Sequence, residues 1–435
     1  MSVTNSGIAG EMLAQQSIVV RNPWNNEVIT ELATDGRKRV REKLDAAWAF
    51  RPRLTPEARR EILSRARQLL IQRKLDIARL ISAESGLSLQ DSVYKVDNAC
   101  ALLNHSMLVA LFGQEAALCD GVLPVNSPLA RHFCGALCGV AAVVTSFHHP
   151  LSRVLYSAAL AIATNNRIVV KPSSKTPLSA RALRMLLLEA GMPEPVFTLV
   201  NCADALFIEV AAAHYGVDFI SFTGMETQAR EMACHAPAGR LVMETGVSDA
   251  LIVCADVDLQ VTAALAARGA FFCSGRRFGA VKRLWVDKRC HDEFVRCLAK
   301  EARAWRVGDP LDPQVRLGTM IDAVSAAETE QRIALSLALG ATCVSGNERC
   351  GASLSATVLT RITPDMPVIT GETSGPVVSV MAFTHVEEAI EQVNGAKQKL
   401  NASFITGDKA LPVRDPDAMA ENNLKKRFPG REHCR

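Results

Sequence analysis

The chain has 435 residues, 49% of them hydrophobic and 22% charged, with a formal net charge of +4 at pH 7. That length supports two or three domains with cores of their own, and the composition is ordinary for a globular protein. So mild a charge argues against a nucleic acid or a membrane surface as partner. No apolar run reaches the roughly 18 residues of a membrane-spanning helix without a charge or a breaker.

The 13 cysteines form an odd set with no Cys-x-x-Cys spacing. This excludes a disulfide framework and a zinc site as first readings; no metal is expected. Residues 1–16 lack a basic segment followed by an apolar one and are read as a flexible N-terminus. Reduced thiols and a cytoplasmic location follow as expectations.

In chain order, Ser17 to Pro23 reads as a short strand ending in a turn. Thr55-Pro56-Glu57 is a helix start, with a hydroxyl cap, Pro at the first helical position and an acid next. Ile62, Ala66, Leu69 and Leu70 fall on one face of that helix. A second face, Leu75, Ala78, Leu80 and Ile81, is expected to run to a stop at Gly86. From Val140 the pattern becomes α/β. Strands are expected at Val140–Val144, Ile168–Val170 and Val217–Phe222, with helices between them at Ser157–Ala163 and Ser179–Ala190. The alternation continues with a strand Leu251–Cys254, a helix Leu259–Ala267, a strand Val281–Val286, a helix His291–Ala304 and a strand Val377–Phe383. Such alternation predicts right-handed crossovers and doubly wound parallel sheets, with ligands bound beyond the carboxyl ends of the strands. Lys171 and Gly224 lie at such ends. After Asp408 the pattern fails, and no apolar face is legible in 409–435.

Three segments carry a resemblance. Met243-Glu244-Thr245-Gly246 is followed, 34 residues after Glu244, by the end of Gly275-Arg276-Arg277-Phe278. Val144-Thr145-Ser146-Phe147-His148-His149-Pro150 precedes Lys171-Pro172-Ser173-Ser174-Lys175-Thr176-Pro177. Gly371-Glu372-Thr373-Ser374-Gly375-Pro376 comes last. These resemble the E-L-G-G, G-Q-R-C, T-P-F-N-x-P, K-P-S-x-x-T-P and E-x-F-G-P segments of the aldehyde dehydrogenase superfamily, over roughly Ser17 to Asp408. Within it, Ala163–Ala180, Leu87–Tyr94 and Gly318–Asp322 are most similar to phosphonoacetaldehyde dehydrogenases.

The resemblance implies an α/β aldehyde dehydrogenase fold, with an NAD(P)-binding Rossmann-like domain over 17–245 and an α/β catalytic domain over 246–408. An oligomerisation hairpin is implied at about 114–137, and 409–435 is an atypical tail. The cofactor is NAD or NADP. It implies cofactor-binding roles for Thr145, Ser146, Phe147, Lys171, Ser174, Gly224, Gly246 and Glu372. Read without the resemblance, Lys171 serves equally as a solvated loop cation. Glu244 matches the general base, His148 stands where an Asn helps form the oxyanion hole, and Phe278 stands where the nucleophilic Cys belongs.

A phosphonate-bearing aldehyde needs cations nearby; His149 and Arg277 are the candidates, a structural ion pair being the alternative for Arg277. Cys273 is the nearest thiol, five residues upstream, and a buried small hydrophobe is its plainer reading. The expected function is NAD(P)-dependent oxidation of a small aldehyde, impaired by Phe278. The alternative is a non-catalytic relative that binds nucleotide or a protein partner, or a decaying gene copy. Without the C-terminal strand the sheet edge should be unpaired and the family's homo-oligomer is not expected.

Overall fold

The computed structural model describes residues 17–112, 139–236, 241–245, 248–395, 402–407 and 425–426. The expected hairpin at 114–137 and Gly246 lie outside these residues.

An antiparallel hairpin, β1 (Ser17–Arg21) with β2 (Val28–Ala33), opens the chain. Four helices follow: Arg37–Ala49, Pro56–Gln72, Lys74–Ser85 and Leu89–Phe112. The second starts as its sequence dictates. Thr55 Oγ1 accepts the Ala58 N–H at 3.2 Å, and Pro56 occupies the first position, where no N–H is needed. Its buried face is Ile62, Leu63, Ala66 and Leu70. The third helix corrects the expected face. Leu75 is 54% exposed, while Ile77, Ala78 and Ile81 are buried. Leu75 and Ile77 are two positions apart, about 200° of helical turn, so the two cannot share a face. Gly86 ends that helix in a left-handed conformation, φ +72°.

The first sheet is parallel throughout. Its strands are β3 (Val140–Val144), β4 (Ile168–Lys171), β5 (Phe197–Leu199), β6 (Val217–Gly224) and β7 (Leu241–Thr245), in the order β5-β4-β3-β6-β7. All five residues of β3 are buried, as a strand covered on both faces requires. The helix Ser152–Ala163 covers one face with Ala158, Ala159 and Ile162, all fully buried. The strand order reverses between β3 and β6, so a crevice opens beyond their carboxyl ends.

The second sheet has the order β10-β13-β14-β9-β8-β15-β16. Its strands are β8 (Asp249–Val253), β9 (Val281–Asp287), β10 (Thr342–Ser345), β13 (Thr357–Thr360), β14 (Val377–Phe383), β15 (Ala402–Ile405) and β16 (Lys425–Lys426). Between β10 and β13 the chain makes a small hairpin, β11 (Arg349–Cys350) with β12 (Ser353–Leu354). Only β10 runs antiparallel to its neighbour. The edge beside β15 was expected to be bare; it carries the two-residue parallel partner β16. Polar Lys425 and Lys426 pair through backbone groups, which no apolar pattern announces.

A loop between the helix Leu259–Phe271 and β9 connects this sheet to the crevice. Cys273, Ser274 and Gly275 are successively left-handed, φ +54°, +53° and +61°. Gly275 tolerates this and also a close approach: a Cβ there would stand 2.1 Å from the Gly375 carbonyl oxygen.

Candidate active site

Thr145, Ser146 and Phe147 leave the carboxyl end of β3, and the Thr145 N–H donates to the Lys171 carbonyl at 3.1 Å. Thr145 and Ser146 are buried and Phe147 is half-buried. Lys171 ends β4 with its side chain buried and ion-paired to Asp204, at the start of the helix Asp204–Ala212. Ser174 follows, half-buried, in the loop after β4. Gly224 ends β6, where a Cβ would meet the Phe222 ring at 2.6 Å. Met225 caps the next helix, half-buried, and Ala229 is buried within it.

Glu244 lies near the end of β7, and its carboxylate pairs with the Arg153 guanidinium. Arg153 also donates from Nε and Nη2 to Thr223 Oγ1, 3.3 Å each. Arg153 was not singled out in the sequence. Its only signal is its place as the second residue of the helix that follows His148 and His149.

Phe278 is brought against both histidines. Its ring centroid is 5.1 Å from that of His148 and 5.7 Å from that of His149, stacked on the latter. His148 in turn stacks on Phe147 at 4.2 Å. Burial, then the charges of Arg276, Lys95 and Lys282, push the His148 pKa down to about 3, so the ring is neutral. The His149 pKa is driven well below its ordinary value by burial first and the Lys95 cation next. Lys95 Nζ donates to His149 Nδ1 at 2.6 Å. Positive charge at this point therefore comes from Lys95, not from His149. Lys95 escaped the sequence reading, although it lies four residues after Asp91 and four before Ala99, on the buried face of its helix.

Arg277 is half-buried and donates to the Gly269 carbonyl at 3.4 Å. Arg276 is 4% exposed, and its Nη2 donates to the Ser85 carbonyl at 2.8 Å. Lys282, on β9, donates from Nζ to the Gly275 carbonyl at 2.6 Å and to that of Gly375. Burial lowers the Lys282 pKa to about 7. Glu372 faces the same space; burial raises its pKa against the pull of Lys282 and Arg332. His148, Arg276, Phe278, Lys282, Glu372 and Ser374 line one cleft.

Cys273 does not line this cleft. Its side chain is 1% exposed, its backbone N–H donates to Asp91 Oδ2 at 3.0 Å, and burial pushes its thiol pKa up to about 11. A protonated, enclosed thiol is a poor nucleophile. Among the described residues no cluster of His, Cys, Asp or Glu could hold a metal ion, and no helix is long and apolar enough to cross a membrane.

The described strand ends have the chemistry of a dinucleotide crevice: buried polar groups after β3, a cation after β4 and a glycine ending β6. The cleft beside them also has a carboxylate, Glu372, able to accept hydrogen bonds from a ligand hydroxyl. These residues fit NAD or NADP.

The chain is 28% identical over 400 residues to the 3-sulfolactaldehyde dehydrogenase of Priestia aryabhattai, covering 90% of this chain and 83% of that protein. It is 32% identical over 381 residues to the NADP(+) succinate-semialdehyde dehydrogenase of Deinococcus radiodurans, covering 84% and 77%. Among solved structures it is similar to an E. coli NADP-dependent enzyme, with a TM-score of 0.84, 25% identity, and 95% and 86% of the two chains covered. The sequence pattern of the aldehyde dehydrogenase family matches residues 12–414. Largely parallel sheets between helices, the crevice beyond β3 and β6 and these similarities agree, and the chain belongs to the aldehyde dehydrogenase family, whose members oxidise aldehydes with NAD or NADP.

Proposed function

We propose that this chain keeps the nucleotide crevice of its family over 17–245 but has lost most of the thiol-dependent oxidation that the 246–408 half would perform. The observation that carries this reading is Phe278, stacked on His149 beside His148 where the nucleophile is expected. The covalent route needs a thiolate to add to the aldehyde carbon, giving a thiohemiacetal from which hydride leaves to the nicotinamide. A phenyl ring has no lone pair for that addition. The Arg153 pairing of Glu244 supports the same reading, because a carboxylate held by a guanidinium is a weaker base. Even unpaired, a general base contributes only about 10²–10⁴-fold.

For the ligand class, we infer a short aldehyde, or its acid, bearing a phosphonate, sulfonate or carboxylate. Lys95, Arg153 and Arg277 supply cations around the two histidines, and the sulfo and succinate groups named in the two relatives belong to the same chemical class. The ion pair of Lys171 with Asp204 and half-buried Met225 make nucleotide affinity modest. The alternative, a nucleotide- or partner-binding protein with no turnover, differs only in the extent of the loss.

The test titrates NAD and NADP into the purified chain by calorimetry, then follows NADH or NADPH formation with phosphonoacetaldehyde and succinate semialdehyde. Weak binding that weakens further in Lys171→Ala, with no turnover above background, is expected. Sustained turnover by the wild type would overturn the reading.

A further inference from the structure

We propose that Asp204 sets the cofactor choice of the nucleotide crevice proposed above, favouring NAD over NADP, because its carboxylate stands in front of the Lys171 cation at the carboxyl end of β4. Numbered along the chain, the strands of the first sheet lie in the order third, second, first, fourth, fifth, as in dinucleotide-binding sheets. In such sheets the end of the second strand meets the adenosine ribose. An acid there accepts a hydrogen bond from the 2′-hydroxyl of NAD, and a cation there holds the 2′-phosphate of NADP. The second strand is β4, and it ends in Lys171. Taken alone, that residue would favour NADP.

The third strand reverses the sign. After β5 the chain enters the helix Asp204–Ala212, whose first residue reaches back and pairs through Oδ1 with Lys171 Nζ. The Lys171 side chain is 4% exposed and that of Asp204 is 31% exposed. A ligand arriving at the strand end therefore meets the carboxylate first, with the cation buried behind it. Lys171 engages Oδ1 and leaves Oδ2 to accept from a ribose hydroxyl. The first turn of a helix also stabilises an anion. A 2′-phosphate would bring about 1.5–2 further negative charges against it. Neighbouring cations do not make up the difference. Lys43 gives its Nζ to both oxygens of Asp35, at 2.8 and 2.7 Å, and to the Leu199 carbonyl at 2.9 Å. Lys175, in the loop after β4, pairs with Asp322 at 2.9 Å. Each of these cations carries its own carboxylate, and Ser174 beside Lys175 has no charge to offer.

The experiment titrates NAD and NADP, and the fragments 5′-AMP and adenosine 2′,5′-bisphosphate, into the full chain by calorimetry at one fixed ionic strength. NAD should bind about tenfold or more tighter than NADP. The fragments should rank the same way, which keeps the comparison clear of the nicotinamide side. Asp204→Asn frees Lys171 and should narrow or invert both ratios by about tenfold. Asp204→Ser, a second neutral variant, should act alike, and melting temperatures establish that each variant folds. Asp204→Glu keeps the charge and should keep the preference. Glu293→Gln, exposed on the helix His291–Arg303, removes one negative charge elsewhere and should leave both ratios unchanged. NADP bound as tightly as NAD by the wild type, or ratios that both neutral variants leave unmoved, would overturn the role of Asp204 and leave the nucleotide crevice standing. Failure of every nucleotide and fragment to bind would defeat the crevice itself, and the choice of cofactor with it.

Discussion

The strand ends of the first sheet and the loop that faces them differ in how their polar and strained groups are held. After β3 and β4 the Thr145 N–H meets the Lys171 carbonyl and Lys171 meets Asp204. In the loop from Cys273 to Phe278 two non-glycine residues hold positive φ, Arg276 keeps two nitrogens unpartnered, and the Phe278 ring packs against His148 and His149. Strain and unpaired groups cost free energy and persist where the surroundings over-determine them, which is commonly at functional sites. The nucleotide side retains ordinary packing, while the side that would do chemistry carries the departures. On the proposed reading the two functions are separable: nucleotide binding would rest on backbone geometry, covalent oxidation on one side chain.

The sharpest way to break this comparison is to rebuild the chemical side. On the proposed reading Phe278→Cys alone should restore little turnover, because His148 would stand at the oxyanion position and Arg153 pairs with Glu244. Phe278→Cys with His148→Asn should exceed the single variant by about 10²-fold, the typical worth of an oxyanion-hole donor. Steady-state rates with succinate semialdehyde and NADP would measure it. A wild type whose turnover disappears in Cys273→Ser would instead mean that the buried thiol reaches the aldehyde.

A second comparison concerns pH. The Lys282 pKa is about 7 in the folded chain, and its ordinary value is higher. Between those values the unfolded chain binds the proton and the folded chain does not, so this residue makes stability rise with pH from about 7 upward. Below about 7 both states are protonated and the slope vanishes. Urea unfolding in phosphate-free buffer should show the wild type gaining on Lys282→Met by at most about 1.4 kcal/mol per pH unit in that window. Parallel pH profiles of the two proteins would show that Lys282 does not titrate there.

A third contrast sets one glycine from each region side by side. Gly275→Ala places a methyl against the Gly375 carbonyl at positive φ and should cost about 1–3 kcal/mol or more. Gly191 also has positive φ, +98°, but a Cβ there meets nothing within 4 Å. Gly191→Ala should therefore cost less, its backbone strain alone. Equal losses would mean that the contact with Gly375 contributes nothing.

By itself the sequence determined the main alternating strands and helices and their order. The short β-branched apolar run Val140–Val144 and the mostly apolar Val377–Phe383 suit buried strands, and Thr55-Pro56 and Gly86 mark helix ends by local chemistry. It also determined that position 278 lacks a thiol, because motif spacing is a property of the chain. Tertiary structure alone decided which groups meet. Lys95 and His149 are 54 residues apart, Glu244 and Arg153 lie on different elements, and Gly275 meets Gly375 from another strand's approach. Helical period put Lys95 on a buried face, but only packing supplied its partner. The β15–β16 pairing was illegible for the same reason: backbone pairing depends on distant segments, and local pattern carries no record of it, whereas the burial of Cys273 matches its plainer reading as a small hydrophobe.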